Sequence, residues 1–149
     1  MILNSPTSPP MKLGLRLPIG AFSDLVFECS SERVITFYDF KRETKARYHK
    51  HELINGKPAL EFLGADLTLI SFKMILHEGL GVEPAEEAQR VKDLCEYGVA
   101  DYLIIGGEVI GLYVIESVSE EIKFFDEYSQ AQVIQLDVTF KEYVEALPA

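Results

Sequence analysis

Few side chains in this 149-residue chain have types and spacings suited to catalysis. His49 and His51 stand at i, i+2, which on a strand places both imidazoles on one face, and Glu52 follows directly. Histidines and carboxylates are zinc ligands. A metal site is judged by its ligand count, however, and the sequence supplies no convincing third ligand for the pair. Cys29 and Cys95 are the only cysteines. Each falls in an apolar pattern, where a thiol is inert. Two cysteines allow one bridge at most, and a chain of this length does not need it, so both are expected to be buried and reduced. Gly79-Leu80-Gly81 and Gly106-Gly107 lack the Lys and Ser/Thr of a phosphate loop and the three-glycine spacing of a dinucleotide fold, and they read as turns. Glu120-Glu121 and Asp126-Glu127 flank turns, where solvated charge belongs. A small metal- or thiol-dependent enzyme is thus the weaker of two readings, and no cofactor or metal is expected.

The stronger signal is the distribution of charge. Fourteen Lys and Arg against 24 Asp and Glu give a net charge of −10, which argues against a protein built to grip phosphate backbones. Residues 41–57 depart from that balance. Lys41, Arg42, Lys45, Arg47, Lys50 and Lys57 face only Glu43 and Glu52, so the segment carries +4 and the rest of the chain −14. Unlike patches on one molecule steer encounter and set register between copies or with a neighbouring subunit.

The elements that position this segment are mostly strands. Residues 1–20 hold Pro6, Pro9, Pro10, Pro18, Gly14 and Gly20 with no period, and they read as a flexible arm without a core of its own. Residues 21–149 read as one β-rich domain. Residues 25–29 and 34–40 are β-branched or aromatic-rich and flank a polar Ser30-Ser31-Glu32-Arg33 turn. Residues 41–52 are largely polar on both alternate faces, and a strand of that kind cannot sit over a core. Asn55-Gly56, a type I′ hairpin signal, and residues 59–63 complete a two-stranded ribbon projecting from the body. A lone hairpin is marginal in water and exposes unpaired edges, so one that projects is expected to pair with another copy. The expected subunit interface comprises Lys41, Arg42, Lys45, Arg47, Tyr48, His49, Lys50, His51, Asn55, Gly56 and Lys57.

Further along, residues 67–77 alternate with Ile70, Phe72, Met74 and Leu76 on one face, a half-buried strand. Pro84 opens a helix with Glu86 and Glu87 in its first turn and Ala88, Val91, Leu94 and Cys95 on one side, and Gly98 closes it. Residues 102–105 and 109–119 flank the Gly106-Gly107 turn, and a last strand over 131–144 follows the Asp126–Ser129 turn. Its core face is Ile134, Leu136, Val138 and Phe140. A single amphipathic helix of about 14 residues must pack across a sheet. The fold class is mainly β with one helix (α+β), a β-sandwich or half-barrel with a flanking helix and a long projecting hairpin. The most apolar stretch, residues 102–115, is broken by Gly106, Gly107, Glu108 and Gly111, so no transmembrane helix is expected. The N-terminus lacks the pattern of a secretory signal, which implies synthesis in the cytoplasm.

Two stretches carry a family resemblance. Asn55-Gly56-Lys57-Pro58-Ala59-Leu60-Glu61-Phe62-Leu63-Gly64, followed by residues 67–76, is one. Val109-Ile110-Gly111-Leu112-Tyr113-Val114-Ile115-Glu116-Ser117-Val118, with Phe124-Phe125 and residues 134–143, is the other. Together with the opening Phe22-Ser23-Asp24-Leu25-Val26-Phe27, their order and spacing resemble the tail protein U (GpU) family of contractile-tailed phages over residues 20–144. The chain departs from the family in having Glu127-Tyr128-Ser129 where an Asp-Gly turn is expected, and in its N-terminal extension. The resemblance implies a structural virion protein with a tail-tube-like fold. Such a subunit closes into a ring, six-fold by the same likeness, and either joins the tail tube to the baseplate hub or completes the tube. Its implied partners are further copies of itself and neighbouring tube, hub or baseplate proteins. DNA would be a weakly bound, passing polyanion, and no membrane is involved. Its implied location is the virion tail, assembled in the bacterial host cytoplasm.

Overall fold

The computed structural model describes residues 20–29, 34–35 and 37–145. The arm read over residues 1–20 lies outside the described residues except for Gly20, and so does the polar turn 30–33. Among the described residues, ten strands and one α-helix follow in chain order. The strands before the helix are β1 (Gly20–Phe22), β2 (Leu25–Cys29), β3 (Val34–Ile35), β4 (Phe37–Glu43), β5 (Ala46–His51), β6 (Ala59–Ala65) and β7 (Leu69–His77). A 3-10 turn (Glu78–Leu80) leads to α1 (Pro84–Glu96), then β8 (Asp101–Ile105), β9 (Glu108–Phe125) and β10 (Ala131–Glu142). Among the described residues, eight strands form one antiparallel sheet in the order β3-β2-β1-β8-β9-β10-β7-β4, while β5 and β6 pair only with each other.

The large sheet is curled into a half-barrel. Strands β3 and β4 occupy its opposite edges, yet Ile35 and Phe37 are separated by a single residue. Two Cα steps span at most about 7.6 Å, so the chain itself draws the two edges together there. The side chains agree. Phe22 on β1 and Phe140 on β10 are three strand spacings apart, about 14 Å in a flat sheet, but their rings meet edge to face with centroids 5.0 Å apart. Phe72 on β7 continues the line, 5.3 Å from Phe140 and 4.9 Å from Phe37.

Period-two patterning places this core. Ile70, Phe72, Met74 and Leu76 of β7 and Ile134, Leu136, Val138 and Phe140 of β10 are all buried. Because the two strands pair in register, with Val138 opposite Phe72 and Leu136 opposite Met74, their apolar faces coincide. Helix α1 packs on β7, β9 and β10 and buries Ala88, Val91 and Leu94 at i, i+3, i+6. Its start follows from Pro84 at the first helical position with Glu86 and Glu87 behind it, which favour the positive end of the helix dipole. Its end is closed by Tyr97 and Gly98, whose amides donate to Asp93 and Cys95 carbonyls. Among the described residues no helix is long and apolar enough to cross a membrane.

The sequence-based expectation of a strand over residues 34–40 changes in the structure. It becomes two strands, β3 on β2 and β4 on β7. The basic stretch after it divides as well. Lys41 and Arg42 lie on β4, paired with Ser71 and Ile70 of the main sheet, so they sit at the base of the ribbon and not within it. An edge strand needs a neighbour on one side only, and Phe37 and Phe40, packed on Phe72, supply the anchor that polar residues 41–43 lack. A bulge between Tyr38 and Lys41 brings the strand across, with Asp39 at φ 55.

Candidate assembly surface

The ribbon is built by β5 and β6. Residues from Tyr38 to Leu63 are exposed without interruption, so β5 and most of β6 present both faces to solvent. The register runs Tyr48↔Phe62, His49↔Glu61, Lys50↔Leu60 and His51↔Ala59. A bulge between Arg47 and Tyr48 leaves Leu63 as the extra residue opposite them. Gly64 makes the bulge with φ +126, and a Cβ there would lie 3.3 Å from the Arg47 guanidinium. That guanidinium donates to the Leu63 carbonyl at 3.3 Å, tying the bulge across the strands.

The hairpin connection differs from the two-residue Asn55-Gly56 turn. His51 pairs with Ala59, so seven residues, 52–58, form the loop. A type I′ turn needs positive φ at both central residues, but of the two only Gly56, at φ 94, has it. Pro58 lacks the amide that would extend the ladder toward the turn. Asn55, Gly56 and Lys57 thus belong to an exposed tip loop together with Leu53 and Ile54, and Ile54 is 100% exposed.

The two ribbon faces have different chemistry. On one, His49 and His51 stack edge to face with ring centroids 4.5 Å apart, and His51 Nε2 donates to Glu61 Oε1 at 2.7 Å. The carboxylate beside the histidines therefore comes from the opposite strand and is engaged by one of them. Among the described residues no group of three or more His, Cys, Asp and Glu has the geometry to hold a metal ion. On the other face Tyr48 and Phe62 form an edge-to-face pair at 5.5 Å, with Leu60 next to them and 64% exposed. The even-numbered face of β5 reads as polar in isolation, yet β6 supplies aromatic and aliphatic groups that make the paired face half apolar. The run Ala59–Leu63 was the available signal, because apolar residues on both parities in an exposed strand leave one set unburied.

The basic residues are partly matched within the chain. Lys45 pairs with Glu43 at 3.1 Å and Lys50 with Glu52 at 3.0 Å, all well exposed. Such surface pairs add little stability but reduce the free positive potential. The Arg42 guanidinium lies 6.0 Å from the Phe40 ring centroid, in cation–π range.

The thiol candidate is less favourable in the structure than as a bare residue. Burial, and secondarily the Glu96 carboxylate, push the Cys95 pKa above its ordinary 9.0, the wrong direction for a nucleophile at neutral pH. The Cys95 Sγ instead lies 3.8 Å from the Glu116 carbonyl.

The surface to be explained is thus a two-stranded ribbon, half aromatic and half polar, standing off a curled sheet. A family model described as Phage P2 GpU matches residues 23–145, covering the stretches 55–76, 109–118 and 134–143 that carried the resemblance. The match places the chain among the structural proteins of phage tails. It belongs to the Phage P2 GpU family. Among curated proteins, none matches the chain.

Proposed function

We propose that the chain acts as a ring-forming subunit of the phage tail, with residues 21–149 as a single tail-tube-like domain and the β5–β6 ribbon as the contact between neighbouring copies. The ring joins the tail tube to the baseplate hub or completes the tube, with six-fold symmetry by likeness to tail-tube subunits. It is assembled in the bacterial host cytoplasm, contacts neighbouring tube, hub or baseplate proteins, and lets DNA pass as a weakly held polyanion. The protein works through these contacts and not as an enzyme.

The observation that carries this reading is the exposure of both ribbon faces. A hairpin that has, among the described residues, no third strand and no core beneath it is marginal alone, and its aromatic face is the kind of patch that marks an interaction site. The basic residues Lys45, Arg47, Lys50 and Lys57 on the ribbon, and Lys41 and Arg42 at its base, oppose a body that is strongly acidic. That arrangement favours a head-to-tail contact. The test is sedimentation velocity of the wild-type chain against Lys45→Glu, Arg47→Glu, Lys50→Glu combined. Wild-type chains are expected to form large closed species and the variant a folded monomer. Intact rings in the variant would refute the role given to the ribbon.

A further inference from the structure

Two groups of exposed apolar side chains lie at opposite ends of the main sheet. The ribbon leaves the sheet after Glu43, which pairs with Leu69, the first residue of β7. The β9–β10 turn adjoins the other end, where Val133 pairs with His77, the last residue of β7. Nine residues of strand separate the two ends, roughly 30 Å. At the ribbon end, Leu53 is 52% and Ile54 100% exposed at the tip, between Lys57 and Lys50, the latter sharing its charge with Glu52 across an exposed 3.0 Å pair. At the turn end, Phe124, Phe125 and Tyr128 are 63%, 59% and 77% exposed, beside Asp126 and Glu127.

The turn end also has a recess. Phe125 lines a concavity of about 330 Å³ together with Pro84, Ala85 and Ala131, and the carboxylates of Glu78 and Glu83 lie in the same wall. Ser129 and Gln130 complete its lining, so it is a mixed notch with an apolar side at Phe125, Ala85 and Ala131 and with acidic residues at its margin, at the end of the molecule away from the ribbon tip. A larger concavity along α1 joins the acids Asp24, Glu86 and Asp93 to Leu94 and Tyr97, but it also holds a cation, Arg90, which opposes a basic tip.

We infer that the ribbon tip of one copy, Leu53 and Ile54, seats in the notch beside Phe125 of the next copy, with Lys50 and Lys57 against Glu78 and Glu83. This rests on the ring reading and adds where the ribbon lands. Because tip and notch lie at opposite ends, the contact is heterologous. Each copy gives one and receives one, and the chain of contacts closes when the rotation between copies allows. Apolar side chains enclosed by a charged rim are also the usual anatomy of a specific contact.

The test uses Ile54→Asp and Phe125→Asp, both at exposed positions, purified separately and then mixed. Each alone is expected to keep the wild-type monomer melting curve and to self-associate at least tenfold more weakly in sedimentation. Mixed, the Phe125→Asp chain still offers a tip and the Ile54→Asp chain a notch, so one junction forms and a 1:1 dimer accumulates without rings. Rings that persist in Phe125→Asp while Ile54→Asp abolishes them would overturn this inference and leave the ribbon reading standing. Rings that persist in both variants, and in the Lys45, Arg47, Lys50 variant, would overturn both. If Phe125→Asp fails to fold, Glu78→Lys with Glu83→Lys replaces it. Loss of self-association, restored by mixing with a Lys50→Glu, Lys57→Glu chain, supports the seat, and wild-type association overturns it.

Discussion

Tyr48 and Phe62 face each other directly across the ribbon, their ring centroids 5.5 Å apart and their planes at 64°. Both rings are more than half exposed, at 54% and 63%. An edge-to-face pair contributes about 0.5–1.5 kcal/mol beyond its buried area. That is a large fraction of what a lone two-stranded hairpin can gain in water. The ribbon's order in the free subunit therefore leans on this pair and on the Arg47 bond across the bulge, while its outward surface stays available.

Phe62→Ala should loosen the ribbon and leave the body intact. The main sheet makes no use of Phe62, so the change in global stability should stay within about 0.5 kcal/mol. Local opening should become more frequent, because beyond the backbone ladder only exposed side-chain bonds from Arg47 and His51 then tie β5 to β6. Limited trypsin digestion reads this directly through faster cleavage after Lys45, Arg47 and Lys50. Unchanged cleavage together with a large drop in global stability would show that the ring packs on the body.

Phe140→Ala should behave in the opposite way. Its ring meets Phe22 at 5.0 Å and Phe72 at 5.3 Å, and its residue is fully buried. Truncating it opens a cavity at the point where the curled sheet closes on itself, with an expected loss of about 3–5 kcal/mol. Urea unfolding measures it, and a loss below about 1 kcal/mol would contradict the packing of β1 against β10.

The contrast between those two phenylalanines tracks how much of the structure can be read in the sequence. Phe140 lies in a strand whose alternation, Ile134, Leu136, Val138, Phe140, matches the pleat, and the same is true of β7. Helix α1 begins at Pro84 and closes at Gly98 because both signals act locally. Phe62 sits in a run without alternation, and its exposure depends on β5 and β6 lacking a third strand among the described residues, a long-range fact. The placement of β3 and β4 at opposite sheet edges is equally non-local, since nothing around Ile35 and Phe37 records which distant strand each joins. Lys41 and Arg42 looked like ribbon because polarity alone does not separate an edge strand from a free one. The loop 52–58 followed from register and Pro58, which overrode the Asn-Gly signal.

Cys95 should be a slow thiol. Burial and Glu96 raise its pKa above 9.0, so at pH 7.5 iodoacetamide should modify it more slowly in the native Cys29→Ser protein than in the same chain in urea. The sign for stability follows. A folded-state pKa above the unfolded one gives a contribution present below about pH 9 and lost as pH rises through the folded value. Tyr113, raised from 10.0 by burial and by Glu142, with Arg42 and Thr68 acting the other way, adds in the same direction at higher pH. Stability should therefore fall as pH rises above about 9, and less steeply in Cys95→Ala. Equal iodoacetamide rates in the two states would remove the basis for this slope.

If the chain forms the proposed ring, that ring should bind DNA weakly. A tail conduit must let a polyanion slide, and each phosphate held by Lys or Arg adds to affinity and to salt dependence through counterion release. The ribbon carries the basic cluster, yet Lys45 and Lys50 are already matched by Glu43 and Glu52 of the same chain. His51 is engaged by Glu61, and Arg47 donates to the Leu63 carbonyl. Beyond the cluster the chain carries −14, so the assembled surface repels phosphate over most of its area. Fluorescence anisotropy with linear duplex at physiological salt should show no saturation below micromolar protein and only a shallow salt slope. Glu43→Gln with Glu52→Gln removes both intrachain partners and should tighten binding and steepen that slope, identifying Lys45 and Lys50 as the cations released. Sub-micromolar, strongly salt-dependent binding by the wild-type assembly would instead mark a subunit that grips DNA or seals its end.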